Sequence, residues 1–434
     1  MTTETLPPEV WLRIFRLLSK PDVLNIGLVN KKFLSISSSP VLWREALLNR
    51  KKLKEPESCE EFTEIARFRS TRSVQITSDG IDHNMYINTR LEKNNTEQTE
   101  KILNNYFEIC RVKKSIKSMR VRSFNLKSIE TDIFVKIVMK LVKIDLSRSR
   151  LSEEQIIQIF EAIPCSKTVQ SLDLSGIILS SIAPQHFAAI GETLVDFNLS
   201  HTLLTKEQSS NLLKGIAKSQ KMKTLQIADI KFGLMEIDGF EFGMVISKNT
   251  IEMDLSNTQI SQEALKSMMT KIMEYQCMES LNLSNIYLGQ ISARVLSSSL
   301  AFIPDLVLSG CFIDSSEALV TILEEIKRRK KVNNLDVSLN NMSTIDKNLL
   351  VDTFTCMEQL DLSQTSITKD QTKSLLTALC ESSDIKYLKL NDNDVSEVDR
   401  VTLGKLVDNL AHLDLSNSNL QPLQIRELTN KGSA

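Results

Sequence analysis

From about residue 116 one pattern of apolar and polar positions recurs along the chain: apolar-x-x-L-x-L-x-x-x-x-L. Copies read VQSLDLSGIIL, LVDFNLSHTLL, MKTLQIADIKF, MESLNLSNIYL, VNNLDVSLNNM, MEQLDLSQTSI, IKYLKLNDNDV and LAHLDLSNSNL, and others start near Ile116, Leu141, Thr250 and Ile303. The fourth position of the phrase falls on Met119, Ile144, Leu172, Phe197, Leu225, Met253, Leu281, Leu306, Leu335, Leu360, Leu388 and Leu413. Successive subtraction gives steps between 25 and 29 residues. Twelve copies at so narrow a spacing define an internal repeat.

One copy predicts its own local structure. The L-x-L pair has period two, which predicts a short strand with both apolar side chains on one face. A helix start follows: Ser152 opens S-E-E-Q, Thr205 opens T-K-E-Q and Thr368 opens T-K-D-Q. Each has the form of a capping box, in which the hydroxyl accepts from an early helix N–H and the glutamine reaches back. An amphipathic stretch comes next, as in Ile156, Ile157, Ile159, Phe160 and Ile163. One strand and one helix per repeat resembles the long, ribonuclease-inhibitor-like class of leucine-rich repeat. The resemblance implies an α/β fold: a right-handed solenoid of about 12 repeats, with a parallel concave sheet and convex helices, over residues 116–428. The ninth position departs from that class. It is Asn only at Asn340 and Asn393, so elsewhere the strand-to-helix turn must be satisfied differently. Twelve strands at about 4.8 Å give a face on the order of 50 Å long, which suits a protein partner better than a metabolite.

Residues 5–48 carry a different pattern. Pro7 and Pro8 stand where a helix begins, and Glu9 complements the first turn. Val10, Ile14, Leu17 and Leu18 form one apolar stripe, with Trp11 and Phe15 beside it. Helices are expected at about 22–29 and 30–37, and Pro40 opens a fourth containing Leu42 and Trp43. Four short helices cannot cover so much apolar surface, so a domain this small is expected to dock onto a partner.

The run L-P-x-E, then Ile and Leu at helical spacing, then Asp-Val-Leu, Leu-Val-x-K-x-Phe and Leu-Trp-Arg resembles the F-box. The resemblance implies a small all-α domain at 4–49 that binds a Skp-type adaptor and, through it, a cullin. Matched position by position, the implied adaptor contacts are Leu6, Pro7, Val10, Ile14, Leu17, Leu18, Leu24, Val29, Phe33 and Trp43; Phe33 stands where the family often has Trp. Some of these must instead hold the domain's own helices together. The plainer reading is a helical cap over the first repeat. Residues 50–115 read as a linker with degenerate first repeats, in which Ser73–Ile76 is strand-like and 92–100 is loop-like, and 429–434 read as a tail. The whole layout resembles the F-box/leucine-rich-repeat class of substrate receptors for Skp–cullin–F-box ubiquitin ligases. The alternative is a scaffold of the same layout that binds proteins without ubiquitin transfer.

Composition narrows the classes. In 434 residues, 41% are hydrophobic and 25% charged, which are globular proportions, and the net charge is -1. That balance argues against nucleic acid as a partner, and aromatics at 5% argue against base stacking. Seven cysteines, an odd count with no C-x-x-C pair, fit free thiols in a reducing compartment, cytoplasmic or nuclear. No apolar run approaches the roughly 18 residues of a membrane span, and no secretory leader pattern is read at the N-terminus. Four histidines lack metal spacing, and no Walker loop or nucleophile–base arrangement is found. No catalytic residue, metal or cofactor is therefore expected, and the partners are proteins.

Candidate target contacts lie on outward strand positions. The fifth position of the phrase carries Asp145, Asp173, Asp254, Asp336, Asp361 and Asp414. They read either as an acidic strip for a basic target or as Asp side chains bonded to neighbouring backbone. Near the end, Tyr387, Lys389 and His412 replace small or acidic residues, either as a binding anchor or as irregular terminal repeats. Asp336, Asp361, Tyr387, Lys389 and His412 are the target-contact candidates. The run Lys327–Lys331 reads as a nuclear localisation signal or as cations at a helix end.

Overall fold

The protein is described by a computed structural model over residues 45–49, 73–77, 104, 107, 108, 110, 111, 116–219, 221–230, 249–311 and 316–432. It divides into two compact units, Met1–Leu194 and Val195–Ala434.

The first unit contains parallel strands β1 (Glu45–Asn49), β2 (Ser73–Thr77), β3 (Ser118–Val121), β4 (Lys143–Asp145) and β5 (Ser171–Asp173), each paired with the next. Helices α1 (Thr131–Val138), α2 (Glu153–Ala162) and α3 (Gln185–Thr193) follow β3, β4 and β5 and pack in sequence order. The strand-like Ser73–Ile76 is thus a strand, and it pairs with the first regular repeat. The segment expected to close the helical domain runs into strand β1 from Glu45. The other F-box positions, from Leu6 to Trp43, lie outside the described residues, as does the 92–100 loop.

The second unit repeats the same motif. Strands β6 (Asp196–Asn198), β7 (Thr224–Gln226), β8 (Glu252–Asp254), β9 (Ser280–Asn282), β10 (Asp305–Val307), β11 (Asn334–Asp336), β12 (Gln359–Asp361), β13 (Tyr387–Lys389) and β14 (His412–Asp414) pair in parallel in that order. Between and after them lie α4 (Lys206–Ser219), α5 (Gln262–Tyr275), α6 (Ala293–Leu300), α7 (Ser316–Arg329), α8 (Lys347–Phe354), α9 (Lys369–Leu379), α10 (Arg400–Asn409) and α11 (Pro422–Gly432).

All twelve fourth-position residues, Met119 through Leu413, lie in β3 to β14. Each points to the helices together with the apolar residue two places on, as in Leu360 and Leu362 or Leu388 and Leu390, which are 0–2% exposed. These rows, with helix residues such as Leu375, Leu376 and Leu379, make the core. Burial of each such side chain contributes about 1.5–3 kcal/mol.

Two devices join the copies. The residue four places beyond each fourth position has a left-handed backbone in all twelve repeats: Ser123, Arg148, Gly176, His201, Asp229, Asn257, Asn285, Gly310, Leu339, Gln364, Asp392 and Asn417. That turn ends the strand while, for example, the Gln364 N–H still donates to the Asn391 carbonyl at 3.0 Å. At Gly310 a Cβ would meet the Asn285 side-chain oxygen, so a larger residue there would have to push that amide aside.

The second device is the ninth position. Asn340 Nδ2 donates to Leu308, Val337 and Ser338 carbonyls at 2.8, 3.0 and 3.1 Å. Asn393 does the same for Leu362, Leu390 and Asn391. At six of the other ten copies a smaller donor takes part of that work, while Phe124, Ile177, Ile230 and Ile286 carry no side-chain donor. Thr202, Thr258 and Thr365 hydroxyls donate to carbonyls of their own repeat. Ser149, Ser418 and the Cys311 thiol donate to the preceding repeat.

Candidate protein-interaction site

The strand residues on the face away from the helices are the accessible ones, and their side chains decide what that face can bind. Most of its acidic row is committed to the fold. The fifth-position oxygen accepts from the N–H two residues on: Ser147 to Asp145 (3.1 Å), Ser175 to Asp173 (2.9 Å), Ser256 to Asp254 (2.9 Å), Ser338 to Asp336 (2.9 Å), Ser363 to Asp361 (3.0 Å) and Ser416 to Asp414 (3.0 Å). Asn198 and Asn282 do the same job without charge. The aspartates therefore cap the turn after each strand, which is the structural reading of the L-D-L-S phrase. Burial pushes the Asp173 and Asp336 carboxyls up, against the Ser175 and Ser338 hydrogen bonds that pull them down.

At the end of the second unit the expected candidates do come together. Tyr387 pairs with His412 and with Gln359 across neighbouring strands, and Lys389 pairs with Asp361 and Asp414. Tyr387 is 44% exposed, and Lys389 and His412 are also exposed. Lys389 Nζ lies 3.1 Å from Asp361 Oδ2, which raises the lysine's pKa. Lys386 Nζ lies 2.6 Å from Glu358 Oε1 just outside this row. The Ser416 hydrogen bonds hold Asp414 below the usual range, helped by His412 and Lys389. The result is an aromatic and an imidazole beside a cation that its own carboxylates neutralise. Asp336 and Asp361 are both half-buried and both used by their turns, and Asp361 is also paired with Lys389, so Tyr387 and His412 are the more available contacts.

The basic run sits at the end of α7. Lys327 reaches Asp352 at 2.7 Å, and Arg328 and Arg329 both grip Glu325, at 2.5 and 2.6 Å. These pairs and the helix terminus fit the helix-end reading.

A second feature of the outward face was hidden by the chain's balanced net charge. Over β3, β4 and β5 and the turns after them (116–126, 141–151, 169–179) the cations are Lys117, Arg120, Arg122, Lys143, Arg148 and Arg150, against Asp145 and Asp173. The signal in the sequence is R-V-R at Arg120–Arg122 and R-S-R at Arg148–Arg150, in successive repeats but three positions out of register. Asp145 Oδ2 takes both Arg120 Nε (2.9 Å) and Arg122 Nε (2.7 Å), while its Oδ1 takes the Ser147 N–H and hydroxyl. Among the described residues no group of acidic, histidine or cysteine side chains could hold a metal ion, and no helix is long and apolar enough to cross a membrane.

Comparison with known proteins bears on the N-terminal segment. The F-box-like family model matches residues 3–49. No curated protein matches the chain. Among solved structures, an internalin from Listeria monocytogenes is similar over 75% of this chain and 86% of that one, at 15% identity and a TM-score of 0.47.

Proposed function

We propose that this chain, an F-box-like segment followed by leucine-rich repeats, is the substrate-recognition subunit of a Skp–cullin–F-box type ubiquitin ligase. The match of residues 3–49 to the F-box-like model carries the reading. In this role the N-terminal segment binds a Skp-type adaptor and thereby a cullin. The repeat units then offer an outward strand face to a protein target. The chain acts by holding two proteins near each other and performs no chemistry of its own. The described cysteines, including Cys165 and Cys356 at the surface, are free thiols, which suits the cytoplasm or nucleus.

Co-expression with a Skp-type adaptor tests the proposal. A stable 1:1 complex that also retains a cullin is expected, and Leu6→Ala with Pro7→Ala should weaken it at least tenfold. Adaptor binding that survives removal of residues 1–50 overturns it. Adaptor without cullin would favour the scaffold alternative.

A further inference from the structure

We propose that the free edge of β14 pairs antiparallel with the same edge of a second copy of this chain, giving a two-fold dimer centred on Leu413. The inference does not rest on the ligase reading.

Three observations carry it. First, β14 is uncovered. It pairs with β13 on one side, and among the described residues no strand lies on its other side. The inward leucines show the consequence. Leu413 and Leu415 are half-buried, whereas the same two positions in the other eleven repeats are at most 3% exposed.

Second, the backbone of this edge is open. In the two preceding repeats the corresponding N–H groups donate onward, Leu362 to Lys389 O and Leu390 to Asp414 O, each at 2.9 Å. Among the described residues the Leu415 N–H has no such acceptor. Glu358 O receives the N–H groups of Lys386 and Tyr387, and Lys386 O receives those of Ala411 and His412, but Ala411 O receives none among the described residues. Asp414 turns its carbonyl to β13, and successive residues of a strand alternate, so Leu413 turns its N–H and C=O to the free side. Such a row is a template for another strand.

Third, the edge is complementary to itself when reversed. Antiparallel pairing about Leu413 sets each Leu413 against that of the other copy, and their N–H and C=O groups bond to each other. Each Leu415 N–H then meets the Ala411 C=O of the other copy. His412, which is exposed, stands opposite Asp414 of the other copy at both ends of the pair. Ser416 occupies Oδ1 of Asp414, which leaves Oδ2 for the imidazole. Imidazole facing carboxylate favours this register, and a slip of one residue loses both contacts. An unrelated strand would use the backbone groups but not these two His–Asp contacts. A two-fold pairing also closes on itself instead of growing into a fibre.

Sedimentation velocity of the full chain over a wide range of concentration tests this. A concentration-dependent dimer is expected. Leu415→Pro deletes an N–H that the single chain leaves unpaired, and His412→Asp sets carboxylate against carboxylate. Each should weaken association at least tenfold with an unchanged circular dichroism spectrum. Asp414→Lys should weaken it too. Mixing the His412→Asp and Asp414→Lys chains should restore a dimer, because the mixed pair has unlike groups opposed at both ends. Should Leu415→Pro fail to fold, the mixing experiment still decides. A chain that stays monomeric at every concentration overturns the proposal. So does a growing series of larger species, or a dimer that these substitutions leave unchanged. The assay needs no adaptor, so its failure and failure of the ligase reading are separate results.

Discussion

Gln371 Nε2 donates to the carbonyl of Ile345 in the preceding repeat, 2.5 Å away. The same side chain accepts the Thr368 N–H at 2.7 Å through Oε1, and Nε2 also reaches Met342 O at 3.2 Å. Gln155 spans Leu126 and Ile129, and Gln424 spans Val395 and Val398, in the same manner. One buried amide therefore caps its own helix and fastens it to the turn before. Gln371→Ala should lower stability by about 2–3 kcal/mol, since it leaves buried backbone groups unpaired. Thr368→Ala removes only the cap and should cost about 1 kcal/mol. Urea midpoints of the two variants would measure the difference, and equal losses would refute the fastening role.

The asparagines at the ninth position predict a graded series. Asn393 is 5% exposed and supplies donors to three carbonyls in two repeats. Asn393→Ala should cost about 2–3 kcal/mol. Asn393→Thr should recover about half, because Thr365 at the same register satisfies its own repeat's Leu362 carbonyl at 2.7 Å. Thermal unfolding of the three proteins gives the order, and a threonine variant no better than alanine would contradict it.

These contacts mark how far the sequence could be read. The inward leucines repeat strictly, so the phase of every strand from Met119 to Leu413 was legible. The capping boxes at Ser152, Thr205 and Thr368 were legible too, but the reach of Gln155 and Gln371 into the preceding repeat was not, because a local motif does not say what the glutamine's second group does. The left-handed column was hidden because no residue type dominates it: it holds Gly176 and Asn257 but also Arg148 and Leu339. The last two carry a local strain of roughly 1–2 kcal/mol each that tertiary packing overrides. The cations of β3, β4 and the turns after them disappeared into a net charge of -1 for the whole chain. Strand β1 was unexpected because EALLN carries helix formers, and pairing with Ser73–Thr77 outweighs that local preference.

Asp336 offers a test of whether the acidic row serves the fold through charge or through its oxygen. Burial raises its pKa, so the ionised form is a cost in the folded state, while Oδ1 still accepts from Ser338 N–H at 2.9 Å. Asp336→Asn keeps the acceptor, as Asn198 and Asn282 do at the same register, and should change stability by less than about 0.5 kcal/mol. Asp336→Ala loses the acceptor and should cost about 1 kcal/mol. A chemical-denaturation comparison at neutral pH decides this, and an Asn variant as weak as the Ala variant would show that charge is needed.

Glu325 predicts where acid begins to loosen the second unit. Arg328 and Arg329 hold its carboxyl down to about 2, from an ordinary 4.5. A depressed acid stabilises the fold fully above its unfolded value, and that contribution fades as pH falls through the folded one. Glu325 thus contributes fully above about pH 4.5, and most of that contribution is lost by about pH 2. Asp394, held at about 2 by Ser396, weakens in the same direction. Arg328 is largely exposed, so the Glu325 interactions are worth at most about 1 kcal/mol. Glu325→Gln should be less stable than the parent at pH 7 by up to that amount. The gap should close as both are titrated toward pH 2, with half of it gone between the folded and unfolded values. Urea midpoints taken at intervals from pH 7 to pH 2 measure it. A gap that stays constant to pH 2 would assign Glu325 a packing role and remove the ion pairs from the account.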